Sequence, residues 1–118
     1  MSLEVVIENA PQPPLTSALR RAIDVCDQTL EELQQEPGDL TDSTFLRVTL
    51  LAVGAFETAL HTDGREEQRD VQLMIAATLG KEAAEAARAH GLDERALRCA
   101  EACDSAAFLC ESAAANLR

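Results

Sequence analysis

Aromatic side chains are scarce: among 118 residues there are three Phe, no Tyr and no Trp. Any core must therefore be assembled from aliphatic and small side chains, which make up most of the 47% hydrophobic content. Cations are scarce too, with 10 Lys plus Arg against 21 Asp plus Glu and a formal charge of −11. Nucleic-acid binding needs Lys and Arg to neutralise phosphates, and docking on anionic lipid needs the same, so neither partner is expected. No apolar run approaches the roughly 18–20 residues that span a bilayer, so no membrane association is expected. The opening residues lack the basic stretch of a secretory signal, and the expected setting is cytoplasmic. Also missing are a G-x-x-x-x-G-K loop, a G-x-G-x-x-G turn after a strand and a Glu-x-x-His pair on any helix. These absences count against nucleotide binding and against a di-iron carboxylate centre.

What remains is the material for one all-α domain. Residues 1–14 read as an extended N-terminal arm: Leu3, Val5, Val6 and Ile7 are β-prone, and Pro11, Pro13 and Pro14 oppose a helix. From Leu15 the pattern turns helical, with Leu19, Ile23, Cys26, Leu30 and Leu33 on one stripe until Pro37-Gly38. A second helix is expected from a cap at Asp42 or Ser43 to about His61. Its segment Leu50–Phe56 is apolar almost all round, which predicts the most buried helix, and Gly54 predicts close approach of a neighbouring backbone. A third helix should run from about Glu66 to His90, with Val71, Ile75, Leu79, Ala83 and Ala86 on its inner stripe and Met74 in the core. The fourth, capped by Asp93, should reach the chain end with Ala96, Ala100, Cys103, Ala107, Cys110, Ala114 and Leu117 at heptad spacing. Short turns between four amphipathic helices predict an antiparallel up-down four-helix bundle over 15–118.

The cysteines supply the most specific signal. Cys99, Cys103 and Cys110 share one helix, and positions four and seven apart lie on one face. Cys26 holds a core position of the first helix, which neighbours the fourth in an antiparallel bundle, so its thiol can face the others. A disulfide framework is not expected in an acidic bundle of this kind. A buried free cysteine is also a small apolar side chain, and Cys26 among Leu19, Ile23, Leu30 and Leu33 reads in that way as well.

The run Arg98-Cys99-Ala100-Glu101-Ala102-Cys103, followed by Cys110, resembles the cysteine-rich four-helix-bundle family of bacterial copper-storage proteins. The likeness spans about Ala18 to Leu117 in helix order, with its residue-level support in the last helix. It implies cysteine places at 99, 103, 106 and 110, where this chain has Ala106, and at Ala76, Gly80, Ala83 and Ala87 on the preceding helix. The resemblance thus implies a bundle that kept its close packing and lost most thiols. Four cysteines exclude a large copper store by counting; one or a few Cu(I) or Zn ions remain, held by Cys99 and Cys103 with Cys110 and Cys26 in support.

The histidines, His61 and His90, fall at helix C-termini, where a cation suits the helix dipole, and at opposite ends of the bundle. Glu57 with His61 and Lys81 with Glu85 are spaced for surface pairing, and the acid surplus reads as a solvated face. With no base beside a nucleophile and no substrate loop, enzymatic activity is not expected. The alternative to metal binding is a metal-free interaction module, a homodimer formed through the arm and the second helix.

Overall fold

The computed structural model describes residues 14–35, 44–61, 66–89 and 94–116. Within them the chain forms four α-helices: α1 (Pro14–Gln34), α2 (Thr44–His61), α3 (Glu66–Ala89) and α4 (Glu94–Asn116). Pro14, assigned above to the arm, instead opens α1. Its fixed φ suits a first helical position, and its missing N–H is one that no helix start can use. The rest of the arm, the caps at Asp42, Ser43 and Asp93, and His90 and Leu117 lie outside the described residues.

Consecutive helices pack side by side, and α1 closes the ring against α4, leaving α1/α3 and α2/α4 as the diagonals. Salt bridges report the directions. Arg88 pairs with Asp104 and Lys81 with Glu111, so moving back along α3 moves forward along α4. Arg21 with Glu101 at 3.6 Å and Glu32 with Arg95 at 4.0 Å show the same reversal between α1 and α4. The molecule is an antiparallel four-helix bundle. Lys81 thus reaches across to Glu111 rather than along its own helix to Glu85, and among the described residues no ion pair joins Glu57 to His61.

Small side chains set the spacing. The buried face of α4 consists of Ala96, Cys99, Ala100, Ala102, Cys103, Ala106, Ala107, Cys110 and Ala114. It is wider than a heptad stripe because α4 lies between two neighbours. Opposite it, α3 buries Leu73, Ala76, Ala77, Gly80, Ala83, Ala84 and Ala87, and the α3–α4 interface is the most extensive of the four. The expected inner stripe of α3 is therefore rotated: Val71 is 54% and Ile75 45% exposed. Leu79, Ala86 and Met74 are only partly buried, packed against the edge of the core. Apart from Leu73, small residues define the inner face here because they let two backbones approach, while Val71 and Ile75 are left outside and Leu79 at the rim.

The two central glycines differ. Gly54 was the expected close-approach site, yet a Cβ built there meets nothing within 4 Å. At Gly80 an added Cβ would lie 3.1 Å from Phe56 Cζ and 3.2 Å from both Ala107 Cβ and the Cys103 carbonyl oxygen. The buried Phe56 ring fills the space that Gly80 leaves. Nor is α2 the most buried helix, since Leu50 and Leu51 are 52% and 55% exposed; α4 has the widest buried face among the described residues, although its Leu97 and Phe108 also face outward.

Two substitutions test this packing by urea unfolding. Gly80→Ala should lower stability by about 1 kcal/mol, overpacking against backbone and Ala107 outweighing the better helix propensity. Thr49 is fully buried and its hydroxyl has no hydrogen-bond partner among the described residues. Thr49→Val should therefore raise stability by about 1 kcal/mol, since it removes a desolvated group while keeping the shape.

Candidate metal centre

Cys26 sits in the middle of α1, and Cys99 and Cys103 lie one turn apart on α4. Because α1 and α4 are antiparallel neighbours, the three thiols meet between them. Cys26 Sγ is 3.1 Å from Cys99 Sγ and 3.4 Å from Cys103 Sγ, and all three sulfurs lie within 4.8 Å of one another. None of the three side chains reaches solvent. Cys110, two turns further along α4, is equally buried and unpaired by disulfide, but its sulfur is not part of this group. Of the four cysteines singled out in the sequence, the fold brings three together and leaves the fourth apart.

The charged groups around the thiols lie on the outer surface of the helix pair. Thr29 Oγ1 donates to the Val25 carbonyl at 2.7 Å and to the Arg95 carbonyl at 3.5 Å, tying α1 to α4 one turn from Cys26. The Arg21–Glu101 and Glu32–Arg95 pairs flank the thiols on the outer surface of the same helix pair. Exposed pairs of this kind add little stability, and they place no cation among the sulfurs. His61 is exposed at the end of α2 and takes no part in the group.

Proton sharing links the three thiols. Cys99 is drawn well below the ordinary thiol range by hydrogen bonds from Cys103 and Cys26, against the opposing effect of burial. Cys26 is driven strongly up because Cys103 and Cys99 hold its proton and burial penalises its anion. Cys103 is pulled down by Cys26 but raised more by Cys99, by burial and by the charges of Cys99 and Asp104, for a net upward shift. The three thiols titrate as one coupled group. A thiolate is the form that binds a metal or attacks an electrophile.

The donor set can be tested against an ion by distance alone. Sulfurs bound to one centre at about 2.3 Å can be no more than about 4.6 Å apart. Two of the three separations lie far inside that limit and the third is bounded at 4.8 Å, so small side-chain rotations would suffice for all three to share one ion. The other cysteine places implied by the resemblance, Ala76, Ala83, Ala87 and Ala106, are fully buried, and Gly80 is buried against Phe56. Alanine holds four of those places and the Phe56 ring stands against the fifth, so three of the thiols form a single site and not a lined cavity. No family model, curated protein or solved structure matches the chain.

Cys110 gives a measurable consequence of burial. Its thiol is pushed up to about 11 by desolvation, with Arg69 lowering it slightly and Glu111 raising it. A raised folded value means that the unfolded chain releases this proton first, near pH 9. Stability from this group is complete below pH 9 and is lost as pH rises toward 11. Unfolding free energy measured across that window should fall, and Cys110→Ala should lessen the fall by about 1.4 kcal/mol per pH unit.

Proposed function

We propose that the protein is a non-enzymatic metal-binding bundle that holds one soft ion between α1 and α4 through Cys26, Cys99 and Cys103. The observation that carries this reading is the convergence of three buried sulfurs from two helices that are distant in sequence. Three thiols with no carboxylate or imidazole in the group make a soft donor set. Structural zinc sites take four ligands, whereas Cu(I) is well served by thiolates alone, so the set favours Cu(I) over Zn. The likeness of the Cys99–Cys103 run to copper-storage bundles supports the same choice.

The chain's own contribution is preorganisation. The three thiols give up their protons when an ion takes their place, and burial keeps water and competing oxygen ligands out. A single site suits buffering or transfer of an ion better than bulk storage.

Titration of the reduced protein with Cu(I) against a competing chelator should give a stoichiometry of about one. Cys99→Ala should abolish tight binding, and Cys110→Ala should leave it unchanged. Binding well below one equivalent, or binding indifferent to Cys99→Ala, would overturn the proposal.

A further inference from the structure

The outward face of α2 is not the face of a solvated helix. Arg47, Leu50, Gly54, Glu57 and His61 are all exposed and recur at steps of three and four, which is one straight stripe. Leu51 flanks it, and on the adjoining helix α3 the side chains of Val71 and Ile75 are exposed as well. In a molecule of formal charge −11, α2 carries only Arg47 and Glu57 besides the terminal His61. Among the described residues α4 also exposes Leu97 and Phe108, but the α2 stripe carries one cation and one anion placed symmetrically about the midpoint between Leu50 and Gly54, so two copies can meet there with opposite charges paired.

Gly54 is the second observation. In the middle of an exposed helical stripe it costs about 1 kcal/mol against Ala, and among the described residues nothing occupies the space where a Cβ would stand. The described residues supply no internal reason for a glycine there. A helix laid across it from outside would.

We infer that α2 is the contact of a two-fold symmetric homodimer, in which α2 packs antiparallel against the same helix of a second copy. The register follows from the stripe. Antiparallel helices set a-type against d-type positions, which places Leu50 over the partner's Gly54 and Arg47 beside the partner's Glu57. Two-fold symmetry repeats each contact, giving two leucine-in-glycine notches and two ion pairs across one axis. A parallel arrangement would instead set Arg47 against the partner's Arg47 and leave the glycines facing each other, so charge and shape select the antiparallel one.

Among the described residues no salt bridge engages Arg47 or Glu57 within the bundle. Glu57 lies in an acidic neighbourhood instead. The Asp27 carboxyl on α1 is raised first by its own partial burial and then by the charges of Glu57, Asp24 and Glu31. The partner's Arg47 would bring a cation to this neighbourhood.

Charge exchange tests the pairing in the full chain by sedimentation equilibrium and light scattering, with circular dichroism to verify the fold. The wild type should be a dimer at high micromolar concentration. Arg47→Glu and Glu57→Arg should each shift the protein to monomer, and the double variant should return it to dimer. Gly54→Ala should weaken dimerisation by about tenfold, equivalent to 1.4 kcal/mol, while leaving the thermal stability of the dilute monomer equal or higher. A monomeric wild type, single charge variants that remain dimeric, or a double variant that stays monomeric would each overturn the inference. An assembly larger than a dimer would do so as well.

Discussion

Close approach of backbones across alanine and glycine is the constraint on which the rest of the bundle depends. Where α3 and α4 meet, the facing side chains are Ala76, Gly80, Ala83 and Ala87 on one side and Ala100, Ala106 and Ala107 on the other. Such residues bury little area each, so the interface gains through contact density and the absence of voids more than through large apolar side chains. The tightness is visible at Gly80, where even one methyl group would press on Phe56, Ala107 and the Cys103 backbone. Phe56 is the main bulky filler of the interior, and its position ties α2 into the α3–α4 pair.

The same economy of volume creates the thiol group. Cysteine is scarcely larger than alanine, so it substitutes into a small-residue core without forcing the helices apart. On α1 the only small core residue opposite Cys99 and Cys103 that carries a sulfur is Cys26, and close α1–α4 contact brings the three within hydrogen-bonding distance. On the α1 side, Cys26 and Ala22 are the small apolar residues buried among Leu19, Ile23, Leu30 and Leu33. Burial then shifts the thiols unequally, because sharing protons among three sulfurs stabilises one anion at the expense of its neighbours.

Parts of this arrangement were legible from the residues. The periodicity of Leu19, Ile23, Cys26, Leu30 and Leu33 marks the buried side of α1, and all five are buried. The α4 heptad from Ala96 to Ala114 is likewise buried throughout. The readings of helix rotation that failed did so for a shared reason: they ranked positions by hydrophobicity. Val71 and Ile75 are more apolar than Ala76 and Gly80, yet they lie outside. Leu50 and Leu51 suggested a buried α2 and are half exposed. In a core built on small residues, size decides which side faces in, and a hydropathy pattern misjudges the rotation of the helix.

Helix count, order and the antiparallel up-down path follow from chain-local properties, since periodicity and short connections act between neighbours in sequence. That Cys99 and Cys103 share a face is also local, being a property of helical pitch. The meeting of Cys26 with that pair, the separation of Cys110 from it and the solvent-facing side of α2 are decided only when helices more than seventy residues apart settle at a particular distance and rotation. Those two quantities arise from the summed packing of every interface at once, so no segment of the chain encodes them alone.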